Sequence, residues 1–170
     1  GAQETTLYKM VAAYSMFANG GERVEPTLVD RVQDRWGATV YKHDQRRCPE
    51  CELASLSPGQ APRVISEGER AIDAITAYQI TSMMQGGVQR GTSARTVGAA
   101  GLGVPIAGKT GTTNDATDVW FVGFSSNIAA GCYIGHDQPR SLGPGAYGGT
   151  LCGPVFAEFI SNLDCILDTL

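Results

Sequence analysis

The chain has 170 residues, 42% of them hydrophobic, with 13 Lys+Arg against 17 Asp+Glu and a net charge of −4. That length suits one domain, the apolar content excludes a disordered chain, and the absence of a basic run argues against nucleic acid as a partner. No run of about 18 apolar residues is present, so no helical membrane span is expected. The first residues, Gly1-Ala2-Gln3-Glu4-Thr5, carry neither an initiator Met nor a signal-peptide pattern, which points to a piece of something longer.

Leu7, Met10, Val11, Tyr14, Phe17 and Ala18 recur at helical spacing, which predicts an amphipathic helix over about 5–19. Thr5 or Thr6 can cap its start, and Asn19-Gly20-Gly21 is a strong stop signal. Val24–Val32 and Trp36–Tyr41 read as two short strands around a turn at Asp34–Gly37. Residues 44–62 hold three prolines and little periodicity and read as loop. Ser66-Glu67-Gly68-Glu69 has the form of a capping box. It predicts a helix over about 67–87, with Ile72, Ile75, Ile80, Met83, Met84 and Val88 as core candidates and Gly86-Gly87 near its end. The Gly-, Ala- and Thr-rich stretch 91–103 is a connection. Residues 105–113, 119–124 and 128–135 are apolar or β-branched runs joined by short spacers, hence antiparallel hairpins. A Gly/Pro-rich loop follows over 139–150. Pro154 then suits the first turn of a last helix whose apolar face includes Val155, Phe156, Phe159, Ile160 and Leu163. The expected class is α+β, about three helices packed on a small antiparallel sheet.

Five cysteines leave at least one unpaired within the chain. Cys48-Pro49-Glu50-Cys51 is a lone CxxC. With His43 it offers three zinc ligands where a site needs about four, and its loop setting differs from a redox pair at a helix start. A local loop clip or two free thiols is the simpler reading, and no metal is expected.

Two motifs share one lysine. Gly103 to Thr110 matches the phosphate-loop pattern GxxxxGK[ST]. However, Val104-Pro105-Ile106-Ala107 is extended and apolar, and Pro105 removes an N–H. The segment after Lys109-Thr110, Gly111-Thr112-Thr113-Asn114-Asp115, is a poor helix start. Nucleotide binding is therefore set aside and no cofactor is expected. As a strand, Lys109-Thr110-Gly111-Thr112 puts the two threonines on one face. Two hydroxyls near an ammonium suit a carboxylate, Gly111 keeps the strip free of bulk, and an edge-strand Thr112 N–H suits a reacting carbonyl.

The stretch Ala107-Gly108-Lys109-Thr110-Gly111-Thr112-Thr113-Asn114-Asp115, continued by Asp118-Val119-Trp120-Phe121-Val122-Gly123-Phe124, resembles the transpeptidase domain of class A (bifunctional) penicillin-binding proteins, a superfamily known for its K-T-G element. The resemblance extends to Glu4–Gly21, Val64-Ile65-Ser66, Gly91-Thr92, Tyr133–Asp137 and Gly148-Gly149. It implies a partial β-lactamase/transpeptidase-like fold. It also implies peptidoglycan cross-linking, in which a serine attacks the D-Ala-D-Ala stem peptide, an acyl-enzyme forms, and an amine resolves it. β-Lactams acylate the same serine. Carried over residue by residue, Lys109 shapes the electrostatics of the cleft and contacts the serine of the family's second motif. Thr110 and Thr112, flanked by Gly111 and Thr113, hold the donor or β-lactam carboxylate. The Thr112 N–H completes the oxyanion hole. Asp118 and Trp120 are implied to be structural, a turn anchor and a core ring. The implied location is the periplasmic face of the bacterial inner membrane, through an anchor upstream.

The family needs S-x-x-K, then S-x-N, then K-T-G. No serine in this chain has a lysine three residues on, and Ser125-Ser126-Asn127 follows the K-T-G element instead of preceding it. That triplet fits an ordinary turn, and His43 and His136 read as surface residues. The chain is thus expected to be the C-terminal half of a transpeptidase domain over 1–170, inactive alone. A sheet edge exposed at 128–135 is expected to favour a homodimer. The alternatives are a non-catalytic module that binds peptidoglycan or β-lactam, and a fragment of a serine β-lactamase-like hydrolase.

Overall fold

The computed structural model describes residues 4–52, 62–65 and 68–167, with side chains up to 163. The described residues form two compact units, one from 1–24 with 70–170 and one over Glu25–Glu69.

In the larger unit, α1 runs over Leu7–Ala18, with Thr6 as its cap accepting the Lys9 N–H at 3.2 Å. Its end is closed by the predicted glycines. Gly20 N–H reaches Phe17 O at 3.2 Å and Gly21 N–H reaches Met16 O at 2.8 Å, the paired bonds of a Schellman cap. Gly20 and Gly21 both take positive φ, 63° and 94°, which costs a glycine little.

The second helix departs from expectation. α2 spans Ala74–Gln89 and is capped by Asp73, whose carboxylate accepts the N–H groups of Ile75 (2.9 Å) and Thr76 (3.2 Å). Gly68 and Glu69 lie outside the helix, and Ser66 and Glu67 lie outside the described residues. The reason for the late start is tertiary. Ala71 and Ile72 both donate to Gly21 O, and Glu22 pairs with Arg70 as an antiparallel bridge, so this stretch is committed to extended backbone. Of the core candidates only Val88 is buried. Ile75 and Met83 are exposed, and Ala77 and Gly86 line the buried face instead.

A three-stranded antiparallel sheet follows, of order β3-β4-β5: Ala107–Thr112, Asp118–Phe124 and Ala129–Gly135. Lys109 and Thr110 lie mid-strand and open no α-helix, only a three-residue 3₁₀ turn at Asn114–Ala116 following the strand, which removes the phosphate-loop reading. Ser125–Asn127 form the β4–β5 turn, where Ser125 Oγ accepts the Asn127 and Ile128 N–H groups. One face of the sheet packs on α3, Gly148–Leu167, through Val119, Phe121, Cys152, Phe156 and Ile160; the Phe121 and Phe156 rings lie 4.7 Å apart. The other face receives Leu7 and Val11 of α1 beside Gly131 and Val122. Pro154 is interior to α3 and not in its first turn. The start is set at Gly148, where the backbone approaches β3 and β4 so closely that a Cβ would collide with Trp120 O and come within 2.5 Å of Gly111 O. The carbonyl that Pro154 leaves without its helical partner belongs to exposed Thr150. A disulfide joins Cys132 of β5 to Cys152 of α3.

The smaller unit holds the predicted hairpin, shorter than expected: β1 Arg31–Gln33 and β2 Thr39–Lys42. Asp34 Oδ1 accepts the Trp36 and Ala38 N–H groups in its turn, both at 2.9 Å. Cys48 and Cys51 form a disulfide. That is the loop clip, and bonded sulfurs are not thiolate ligands for zinc. His43 instead bonds Glu25 O through Nε2 at 2.9 Å.

Candidate functional site

β3 is an outer strand of its sheet, which decides where its backbone points. Thr113 N–H donates to Asp118 O on β4 at 3.0 Å. In an antiparallel ladder alternate residues turn the same way. Gly111 and Lys109 therefore direct their N–H groups at β4, while Thr112 and Thr110 direct theirs outward. The N–H that the sequence reading singled out lies on the unpaired edge.

The side chains alternate as expected. Thr110 and Thr112 lie on the α3 face. Thr112 Oγ1 accepts the Gly148 N–H at 3.1 Å, and Thr110 Oγ1 lies 2.8 Å from Thr92 Oγ1 on the turn after α2. Lys109 belongs to the opposite face, level with Val122. Its exposed side chain bends round the edge, and Nζ donates to Thr110 O at 2.9 Å and lies 3.5 Å from Thr110 Oγ1. Ammonium, two hydroxyls and outward N–H groups thus meet along one strand edge. All are donors, a set matched to an anion or a carbonyl oxygen.

Gly111 lies opposite Trp120, whose Cβ a side chain here would meet at 3.2 Å. Packing against Trp120 therefore asks for a small residue as well. Trp120 is half-buried and stacks on Tyr133 with ring centroids 4.6 Å apart; it is not the core ring that the resemblance implied.

Thr113 turns its hydroxyl into the β3–β4 connection. Its Oγ1 lies 2.7 Å from Thr117 Oγ1 and accepts the Asp118 N–H at 2.9 Å. Asp118 anchors this turn: its carboxylate accepts from Tyr133 OH at 2.7 Å and from Thr117 Oγ1 at 2.9 Å. The Tyr133 hydroxyl, then Thr117, hold the Asp118 carboxyl below its ordinary range. The same bond pushes the Tyr133 phenol up. Within the connection Asp115 and Ala116 take φ of 58° and 50°, an unfavourable region for residues with a Cβ. Sequence reasoning gave Thr92 and Gly148 no role. Their only signal was membership in the stretches that resemble the family.

The penicillin binding protein transpeptidase domain family matches residues 1–161. The chain is 42% identical over 164 residues to penicillin-binding protein 1A of Rickettsia conorii, covering 95% of this chain and 20% of the relative. It is 41% identical over 161 residues to penicillin-binding protein 1A of Neisseria gonorrhoeae, covering 94% and 18%. Its fold is similar to the crystal structure of penicillin-binding protein 1A from Haemophilus influenzae, with TM-score 0.72 and 24% identity over 98% of this chain and 27% of that one. It is also similar to the imipenem acyl-enzyme complex of penicillin-binding protein A from M. tuberculosis, with TM-score 0.60 and 17% identity over 96% and 32%. The chain spans about one-fifth of the length of the curated relatives it matches.

Proposed function

The chain belongs to the penicillin-binding protein transpeptidase domain family, and from that premise we propose that it supplies the acyl-donor wall of a peptidoglycan D,D-transpeptidase. The observation that carries the reading is the convergence of Lys109 Nζ, the Thr110 and Thr112 hydroxyls and the outward Thr112 N–H on the free edge of β3.

The donor stem peptide lies extended along that edge, and its terminal carboxylate takes hydrogen bonds from Thr110 and Thr112 beside the Lys109 charge. The scissile carbonyl oxygen receives the Thr112 N–H, which is worth most when that oxygen becomes an oxyanion. A serine outside these 170 residues attacks the carbonyl carbon, and the bond to the terminal D-Ala nitrogen breaks. The resulting ester is taken by an amine of a second stem. β-Lactams, which present a carboxylate and a strained amide in one rigid unit, occupy the same strip. Gly111 keeps the ligand close to the backbone, and Thr113 holds the turn that ends the strip. The chain alone lacks the nucleophile and is inactive. The reaction takes place at the periplasmic side of the membrane, and the free edge of β5 is a surface through which two copies can pair.

The test is labelling with a fluorescent penicillin. The full-length protein containing these residues forms a stable covalent adduct that weakens in Lys109→Ala, and the isolated 170-residue chain forms none. An adduct on the isolated chain, or full labelling of Lys109→Ala, contradicts the reading.

A further inference from the structure

The two hydroxyls of the strip are each held from behind. A hydroxyl has one proton to give and two acceptor positions. The Gly148 N–H can only donate, so its bond to Thr112 Oγ1 at 3.1 Å occupies an acceptor position and leaves the Thr112 proton free. Thr110 faces a different partner. Its Oγ1 lies 3.5 Å from the Lys109 ammonium, also only a donor, and 2.8 Å from Thr92 Oγ1, which can donate or accept. The direction of the Thr92–Thr110 bond therefore decides whether Thr110 has a proton to offer. If Thr92 donates, both acceptor positions of Thr110 are filled and its own proton points outward. If Thr92 accepts, Thr110 has nothing to give a ligand.

A carboxylate accepts and never donates when ionised. Its arrival selects the first arrangement, a chain running from Thr92 to Thr110 to the ligand, in which each bond polarises the next. Thr92 is wedged for this task. Its carbonyl lies against Gly149 of α3 so tightly that a Cβ on Gly149 would come within 2.7 Å of it.

We propose that Thr92 is a positioning residue of the strip: it donates to Thr110 Oγ1 and so commits the Thr110 proton to a ligand carboxylate, as the Gly148 N–H does for Thr112. The inference rests on the reading of β3 as a carboxylate-binding edge.

The experiment measures second-order acylation of the full-length protein by a β-lactam with a free carboxylate and by its methyl ester. Thr92→Val keeps the shape and removes the hydroxyl. It is expected to slow the carboxylate compound about fivefold, the scale of the one neutral hydrogen bond lost behind the Thr110 hydroxyl, and to leave the ester within about twofold. Thr92→Ser, which keeps the hydroxyl, restores the carboxylate rate. Thermal melting checks that the variants fold, and Thr92→Ala takes the place of Thr92→Val should that variant not fold. Equal slowing of both compounds, or no slowing, overturns the role of Thr92 while an intact carboxylate preference in the parent leaves the strip standing. A parent protein that forms no adduct, or treats acid and ester alike, overturns the strip and the inference with it.

Discussion

Replacing Thr112 by valine tests the strip at the point where fold and chemistry meet. The substitution keeps the β-branched shape and removes one oxygen. In the free protein that oxygen accepts the Gly148 N–H at 3.1 Å, and Thr112 is exposed. Gly148 is buried, so leaving its N–H without an acceptor costs about 1–3 kcal/mol of stability. Acylation is affected separately. A hydrogen bond to a charged group is worth about 1.5–3 kcal/mol, which at 1.36 kcal/mol per decade is a loss of roughly ten- to a hundredfold or more in acylation rate. The Thr112 N–H stays in place, so the variant retains its oxyanion donor and some activity. The assay pairs thermal unfolding with stopped-flow acylation of the full-length protein by a carboxylate-bearing β-lactam, and Thr112→Ser is the control that keeps the hydroxyl. Wild-type acylation in Thr112→Val, or an equal loss in Thr112→Ser, would refute the reasoning.

Two further outcomes follow from the same geometry. The Cys132–Cys152 disulfide closes a sequence separation of 20 and Cys48–Cys51 one of only 3. Chain entropy then assigns about 3 and about 2 kcal/mol to them, so in urea unfolding the double alanine variant at 132 and 152 loses more than that at 48 and 51; the reverse order contradicts this. Asp118, held below its ordinary pKa by Tyr133, contributes stability that is present above the unfolded carboxyl pKa and lost as pH falls through the lower folded value. Tyr133→Phe moves the Asp118 titration midpoint upward in a carboxyl NMR titration and shrinks that acid-side loss, and an unmoved midpoint would show that the Tyr133 bond is not its cause.

Much of this was legible where local chemistry decides. The Thr6 cap, the Asn19-Gly20-Gly21 stop and the three-strand order are written in neighbouring residues. The edge position of β3, and with it the outward Thr112 N–H, was expected on condition and is met. What escaped was decided at long range. The helix start expected near residue 67 gave way to the pairing of residues 70–72 with Gly21 and Glu22, and Asp73 caps the helix that follows. Pro154 looked like a helix start because the true start depends on how closely Gly148 approaches β3 and β4. The Cys132–Cys152 pair joins elements that only the packed sheet brings together. Thr92 escaped for the same reason: it lies 18 residues from Thr110 and meets it only through the turn after α2.

The central claim, that the β3 edge holds the acyl donor, is tested most directly by a crystal structure of the full-length protein acylated by a β-lactam. It predicts the ligand carboxylate within hydrogen-bond distance of the Thr110 and Thr112 hydroxyls, and the ester carbonyl oxygen on the Thr112 N–H. An adduct whose carboxylate lies away from β3, or whose carbonyl oxygen is held by other donors, contradicts it.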